Sequence, residues 1–163
     1  MSSRIALIAM IAVIATCLGV EGSAAQTRKP TVEEISAVRA CVEKHENDLD
    51  AAANKCAFKP VADPCMKKEG YSNLGMADCF RIEHEIWDRL LNEAYKELRQ
   101  SLDDGEQEKK LREMQRAWIA HRDATCEFYH HKIRGSMAGP MSSARMLRET
   151  ARRAMLLKSL VGL

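Results

Sequence analysis

Apolar residues recur every three or four positions over two long stretches in the second half of the chain. This spacing places them on one face of an α-helix, so each stretch predicts a long amphipathic helix. Asp103-Asp104-Gly105 separates the two stretches, and so short a connection predicts an antiparallel helical hairpin. The first stripe consists of Cys79, Ile82, Ile86, Trp87, Leu90, Leu91, Ala94, Tyr95, Leu98 and Leu102, and the second of Leu111, Met114, Trp118, Thr125, Tyr129 and Ile133.

Weaker helical signals precede this hairpin. Thr31-Val32-Glu33-Glu34 has the form of a capping box, which predicts the start of a first helix. An alanine-rich helical turn follows from Leu49 to Cys56. Residues 57–71 contain two prolines and a glycine, so we expect a cross-linked connecting loop there rather than regular structure.

The C-terminal part of the chain predicts one more helix. Gly135 follows the second stripe at the position where helices commonly end. Gly139 and Pro140 predict a turn from Ser136 to Ser142, and a last helix then begins near Ser143. Because no strand pattern is visible, the sequence predicts an all-α fold: a small disulfide-linked helical bundle built around the long antiparallel hairpin.

The first 25 residues have the layout of a secretory signal peptide. Arg4 precedes a 16-residue apolar run, Ile5 to Val20, and Ser23-Ala24-Ala25 supplies a cleavage site. The run is shorter than the roughly 20 residues that a membrane-spanning helix needs, which disfavours a retained anchor. Lipoprotein processing at Cys17 is a further alternative, disfavoured because Thr16 replaces the usual small residue. The sequence therefore predicts a periplasmic or secreted protein.

Five cysteines remain after signal cleavage, and export predicts that they form disulfides with one thiol left over. Several pairings are open from sequence alone. The local pairings, Cys41 with Cys56 and Cys65 with Cys79, would each stabilise the fold by roughly 3 kcal/mol. The chain has no Cys-x-x-Cys spacing, so disulfides are favoured over a zinc site.

Charge is divided unevenly along a chain of net charge +2. Residues 31–107 hold 10 Lys and Arg against 17 Asp and Glu, whereas residues 108–163 hold 12 against 5. A basic half can indicate a nucleic-acid partner, but aromatic residues are only 5% of the chain. We therefore expect acidic helices beside basic ones and no nucleic-acid partner.

Four polar residues accompany the apolar stripes of the two long helices. Asp88 and Asn92 are four residues apart, and Gln115 and Arg122 are seven apart, so each pair shares a helix face. One interpretation is a structural polar seam in which Asp88 bonds Arg122 or Arg153 and Asn92 bonds Gln115. The other is a carboxylate acting as acid or base in a cleft. The pattern lacks a second titratable partner for that role, so the seam is favoured.

The remaining chemistry-bearing residues form no established motif. Cys126 and His130 share a helix face, and His84 and His131 could approach them, but the spacing matches no standard metal site. No serine lies in a nucleophile-elbow pattern and no glycine-rich phosphate loop is present. The sequence therefore predicts no catalytic residue, no metal and no cofactor.

Several segments carry a family resemblance over residues 72 to 160. They resemble the LprI-like family of exported bacterial proteins, which is named for a mycobacterial lysozyme inhibitor. After the signal peptide (1–25), the resemblance divides the chain into an N-terminal helical cysteine-linked extension (26–71) and an LprI-like helical domain (72–163). The matching segments are Gly75 to Cys79, Trp87 to Tyr95, Leu111 to Cys126, Gly135 to Gly139 and Thr150 to Ala154.

This chain departs from the family pattern at one position. Family members usually carry another cysteine about twenty residues after the one matched by Cys126, and Arg145 stands there instead. The resemblance therefore implies that Cys126 is a free thiol and that packing alone holds the last helix. We expect that helix to be the least stable element. Cys126 would be a buried small hydrophobe or, if exposed, a bridge between two chains.

The resemblance also implies the function. It implies a protein-binding module that inhibits lysozyme, with lysozyme as the protein partner and no membrane contact after signal cleavage. Inhibitors of this type generally block the glycan cleft with a protruding loop, for which Arg134 to Met141 and Phe58 to Tyr71 are candidates. The acidic residues Asp103, Asp104 and Glu106 could also contact a basic lysozyme locally. The alternative is a periplasmic structural or accessory protein with a different partner.

Overall fold

The computed structural model describes residues 28–163, so the expected signal peptide at residues 1–25 lies outside the described residues. Every regular element in the described part is helical, which confirms the predicted all-α bundle. The six α-helices are α1 (Val32–Glu43), α2 (Leu49–Cys56), α3 (Ala62–Glu69), α4 (Asn73–Gln100), α5 (Gly105–Ile133) and α6 (Ala138–Ser159), with a short 3-10 turn (Gly135–Met137) before α6.

Side-chain caps fix where the helices begin. Thr31 forms the predicted capping box at the start of α1. The Ser72 hydroxyl accepts a hydrogen bond from the Gly75 amide at the start of α4, and the Asp104 carboxylate accepts one from the Gln107 amide at the start of α5. These bonds satisfy amides that have no partner inside their own helix.

The two longest helices, α4 and α5, run antiparallel on either side of the bend, as predicted, but both pack on α6 rather than on each other. Near the bend, the Arg99 guanidinium lies 2.9 Å from the Glu108 carboxylate. At the opposite end, Asn73 Nδ2 donates to Ser136 Oγ at 2.7 Å. With 28 residues in α4, the bend and the opposite end are separated by about 42 Å at 1.5 Å per residue.

Helix α6 is the central element of the bundle. It packs against α4, α5 and α2, and it is α6 rather than α5 that packs most extensively on α4. Nine residues of α6 are buried, including Arg153, whereas Leu111 and Cys126 are the two buried residues of α5. The expectation that the last helix is the weakest element is therefore wrong, because α6 lies between its neighbours and α5 lies at the edge.

Two helical segments were missed by the sequence interpretation. Helix α3 occupies most of the segment expected to be a loop, and α6 begins at Ala138 rather than near Ser143. In both cases a proline is the third residue of the helix, Pro64 in α3 and Pro140 in α6. A proline in the first turn removes no intrahelical hydrogen bond, so it does not interrupt a helix there.

Two disulfides attach the short helices to the bundle. Cys41–Cys56 joins α1 to α2, and Cys65–Cys79 joins α3 to α4, each with a Cα–Cα distance of 5.7 Å. These are the two local pairings among the alternatives open from the sequence. Helices α1, α2 and α3 form one hydrophobic core with α4 and α6. The largest fully buried apolar side chains of this core include Trp87, Ile86, Leu147, Leu157, Val38 and Val61.

Among the described helices, none combines the length and the apolar character needed to cross a bilayer.

Candidate functional site

Glu83 is a fully buried carboxylate that the sequence interpretation did not single out. Its Oε1 accepts hydrogen bonds from the Phe58 amide at 2.7 Å and from Trp87 Nε1 at 3.0 Å, and its Oε2 accepts one from the Ala62 amide at 2.7 Å. Burial raises the pKa of this carboxyl, against the opposing effect of those bonds. Glu83 therefore caps α3 from a neighbouring helix, which is a structural role.

Of the residues in the predicted polar seam, Gln115 and Arg153 form a hydrogen bond between helices, while Asp88, Asn92 and Arg122 bond within their own helices. Asp88 accepts a hydrogen bond from Asn92 within α4 at 3.2 Å, and Arg122 pairs with its neighbour Asp123 on α5. The bond that does join two helices runs from Arg153 Nε of α6 to Gln115 Oε1 of α5, at 2.9 Å. The expected pairs, Asp88 with Arg122 or Arg153 and Asn92 with Gln115, are replaced because α6 is the main neighbour of both long helices.

Arg153 is 6% exposed, and burial lowers the pKa of its guanidinium. The group lies 5.5 Å from the centre of the Trp118 ring, and the Arg122 guanidinium lies 4.9 Å from the same centre. Two cations on one indole ring form a cation–π cluster between α5 and α6. This arrangement joins α5 to α6, and no carboxylate of residues 28–163 forms an ion pair with Arg153.

His84 is the half-buried residue most suggestive of catalysis. It lines two shallow surface cavities of about 360 and 370 Å³, one of which also contains Ser142 and Ser143. The His84 Nε2 lies 3.1 Å from Thr150 Oγ1, however, and the Ser142 hydroxyl donates to the Cys126 carbonyl oxygen. Because neither of these two hydrogen bonds joins a serine to the imidazole, the arrangement is not that of an activated nucleophile.

The free thiol of Cys126 is buried, and burial raises the pKa of that thiol. This position matches a small buried hydrophobe rather than a bridge between chains. His130, one helical turn after Cys126 on α5, is exposed and contacts the His131 ring. Among the described residues, the one cluster with metal-ligand geometry is Cys41, His45 and Cys56, and its two sulfurs are consumed by the disulfide.

The two candidate binding loops meet at one end of the bundle. The Asn73–Ser136 hydrogen bond joins the start of α4 to the turn that follows α5. Large side chains next to this bond are solvent-exposed: Tyr71 is 64% exposed, Leu74 70% and Met137 40%. Arg134 is also exposed. We call Tyr71, Leu74, Arg134 and Met137 the tip surface.

A cleft of about 780 Å³ lies at the opposite end, between the α4–α5 bend and the end of α6. Leu98, Leu102 and Leu160 contribute to its apolar lining. Asp103 and Glu106, two of the acidic residues expected to meet a basic partner, lie at this bend cleft. The protein therefore has two candidate binding surfaces, at opposite ends of the hairpin.

Comparisons with known proteins place the chain in a family. A search of curated proteins found no match, and a search of solved structures found none. The family model described as lysozyme inhibitor LprI matches residues 65–157, more than half of the chain. The match begins at Cys65 in α3 and extends through most of α6, so it includes the Cys65–Cys79 disulfide and both candidate surfaces apart from the last residues of the chain. The protein thus belongs to the lysozyme inhibitor LprI family.

Proposed function

We propose that this protein is exported to the periplasm or secreted, and that it inhibits lysozyme by binding it. The observation that carries the proposal is the family match over residues 65–157. Two disulfides support export, since such bonds persist in oxidising compartments. The polar clusters around Glu83 and Arg153 have structural partners, which favours a binding module over an enzyme.

Inhibition is tested by adding the purified protein to lysozyme and a peptidoglycan suspension. We expect hydrolysis to fall as the protein is titrated, with the remaining activity set by the fraction of lysozyme bound. An amidase that cleaves the peptide part of the same substrate serves as the control and should keep its full rate. Loss of both activities would mean that the protein coats the substrate instead of binding lysozyme.

Undiminished lysozyme activity at a large excess of the protein would reject the proposal. The alternative, a structural or accessory protein of the cell envelope, would then be favoured. A pull-down from envelope extract with the immobilised protein distinguishes the two, because the alternative requires capture of a partner that is not lysozyme.

A further inference from the structure

The Cys41–Cys56 disulfide has a histidine beside it. Cys41, His45 and Cys56 each offer one metal-ligand atom, and these three atoms lie within 4.8 Å of one another. His45 follows Cys41 by four residues, in the turn after α1, and its Nδ1 lies 3.9 Å from Cys56 Sγ. The disulfide that joins α1 to α2 therefore lies inside a cluster of three metal-ligand side chains.

Hydrogen bonds hold the His45 imidazole next to this disulfide. Its Nδ1 donates to the Cys41 carbonyl oxygen at 2.9 Å, and the His45 amide donates to the Val42 carbonyl oxygen at 3.0 Å. A metal bonded to sulfur at about 2.3 Å and to nitrogen at about 2.0 Å holds those two atoms about 3.5–3.7 Å apart. The 3.9 Å between Nδ1 and Cys56 Sγ is close to the separation that a shared metal ion requires.

The two disulfides differ in how easily a reductant can reach them. Cys65 and Cys79 are both buried, at 8% and 1% exposure, whereas Cys41 is only half-buried. A disulfide opens when a thiolate reaches one of its sulfurs, and exposed disulfides are the more labile ones. We therefore expect a dithiol to reduce Cys41–Cys56 before Cys65–Cys79.

Reduction would turn the cluster into a complete ligand set. A dithiol passes two electrons and two protons to the disulfide and itself becomes a disulfide. The thiols of Cys41 and Cys56 then release their protons on binding a metal, and His45 stays neutral with its proton on Nε2. Thiolate and imidazole ligands suit copper and zinc, and copper accepts trigonal sites of cysteine and histidine. A structural zinc site takes four protein ligands, so a cluster of three favours Cu(I).

We propose that Cys41, His45 and Cys56 form a redox-gated Cu(I) site. The disulfide closes the site in the oxidised protein, and reduction by a dithiol opens it. Bound Cu(I) then joins α1 to α2 in place of the disulfide, so this cross-link survives reduction. All three residues precede the segment matched by the family model, residues 65–157. The site is therefore independent of lysozyme inhibition.

Selective opening of the disulfide is tested on the purified protein with limiting dithiothreitol. Alkylation followed by mass spectrometry identifies the cysteines that have been reduced. We expect Cys41 and Cys56 to be alkylated while the Cys65–Cys79 bond remains intact. Earlier opening of Cys65–Cys79 would contradict the inference.

Cu(I) binding is measured without oxygen, after removal of the dithiol, by competition with a chromophoric Cu(I) chelator. We expect the reduced protein to bind one Cu(I) per chain, with two sulfurs and one nitrogen around the metal in X-ray absorption spectra. The oxidised protein keeps the buried thiol of Cys126 and should bind none. It therefore controls for copper on that thiol.

The decisive variant is His45→Ala, because it removes the imidazole and keeps both thiols. We expect its affinity for Cu(I) to fall by about tenfold or more, since even residues that only orient a metal ligand have effects of this size. Its copper spectrum should show sulfur ligands alone. His130→Ala, which removes an exposed imidazole outside the cluster, is the matched control and should bind Cu(I) like the wild type.

The cross-link is tested by thermal unfolding of the reduced protein, followed by circular dichroism. Cu(I) should raise the melting temperature of the wild type, because a ligand that binds the folded state more tightly stabilises it. Cys41→Ala/Cys56→Ala should gain nothing from Cu(I). Equal Cu(I) affinities of His45→Ala and the wild type would overturn the inference. A reduced wild type that Cu(I) neither stabilises nor refolds would overturn it as well.

Discussion

Glu83 joins segments that are distant in sequence. Its two carboxylate oxygens accept hydrogen bonds from the Phe58 and Ala62 amides, at the entry to α3, and from the Trp87 indole within α4. Phe58 has a φ of 78°, so this carboxylate also holds a backbone turn in an unfavourable conformation. The three hydrogen bonds stabilise the buried carboxylate. If an oxygen of this group could no longer accept, a buried N–H donor would be left without a partner.

Replacing this carboxylate by an amide tests that role. Glu83→Gln puts an NH2 group where one oxygen now accepts a hydrogen bond, so we expect the free energy of unfolding at pH 7 to fall by about 1–3 kcal/mol. Glu97→Gln, at an exposed position on the same helix, is the control and should unfold like the wild type. Urea titration measures both. Equal stability of Glu83→Gln and the wild type would contradict the assigned role.

The raised pKa of Glu83 also predicts a pH dependence. Because the folded-state pKa lies above the ordinary value of 4.5, the folded protein retains this proton at a pH where the unfolded chain has lost it. The resulting stabilisation is complete below pH 4.5 and is lost as the pH rises through the folded-state pKa. In urea titrations above pH 4.5, the free energy of unfolding of the wild type should fall as the pH rises. The part of this fall that comes from Glu83 should be absent in Glu83→Gln.

Substitutions at Gln115 and Asp88 distinguish the hydrogen bonds seen in the structure from those expected from the sequence. Gln115→Ala removes the acceptor for the buried Arg153 Nε, so we expect a loss of about 1–3 kcal/mol of unfolding free energy. Asp88 bonds the exposed Asn92 on its own helix, so Asp88→Ala should change stability by about 0.5 kcal/mol or less. Thermal unfolding of both variants measures the two losses. A larger loss for Asp88→Ala than for Gln115→Ala would favour the hydrogen bonds expected from the sequence.

The residues of the seam were identifiable from sequence, but their partners were not. Helical spacing fixes which residues share a face, so Gln115 was placed correctly toward a neighbouring helix. Which side chain meets them depends on the position of α6, and no local pattern specifies it. Glu83 could have been found, because it is a charged residue inside the apolar stripe of α4, between Ile82 and Ile86.

At the scale of helices, the strength of the periodic signal decided what could be predicted. The long stripes located α4 and α5, although Leu102 lies beyond the end of α4 and α5 begins six residues before Leu111; caps at Ser72 and Asp104 fix the two starts. The short α3 and the first turn of α6 were missed because proline was interpreted as a breaker. In both helices it occupies the first turn, where its missing N–H is not needed.

Helix α5 is an edge helix that could be fixed more firmly to α6. The Cys126 carbonyl oxygen accepts a hydrogen bond from the Ser142 hydroxyl, and Arg145 lies 5.3 Å from the Tyr129 ring centre. These contacts bring Arg145, the position where the family pattern has a cysteine, close to Cys126. We therefore expect Arg145→Cys to form a disulfide with Cys126 and to stabilise the fold by roughly 3 kcal/mol.

Thiol titration and thermal unfolding measure the effect of Arg145→Cys. The oxidised variant should contain no free thiol and should melt at a higher temperature than the wild type. Arg145→Ser is the control, since it removes the same guanidinium without supplying a second sulfur. Two free thiols after oxidation would show that the two positions are too far apart to be bridged.

On the scale of the whole molecule, few of the described ion pairs join residues 31–107 to residues 108–163. Several pairs are local, such as Arg89 with Glu85 on α4 and Arg112 with Glu108 on α5. Arg99 with Glu108 is a pair that crosses the bend. The expected pairing of acidic helices with basic ones therefore has a small part in the fold.

The N-terminal segment before the family match is integrated into the same core. Helix α2 packs against α6 through small residues, and Ala52, Ala53 and Cys56 are buried there. The Phe58 amide, at the end of this segment, is a donor to Glu83. Removing α1 and α2 would thus expose one side of the central helix and untether the turn at Phe58 that donates to Glu83, which is more than the loss of an accessory arm.

A chain that begins at Phe58 tests whether the protein is one cooperative unit. We expect this truncated chain to unfold over a broad urea range and to bind a hydrophobic dye, because the face of α6 that α2 covers is then open to water. The control is the full-length Cys41→Ala/Cys56→Ala variant, which lacks the disulfide but keeps both helices. It should lose up to about 3 kcal/mol and still unfold in one sharp transition. A truncated chain with the wild-type midpoint and slope would mean that residues 58–163 fold independently and that α1 and α2 are an appendage.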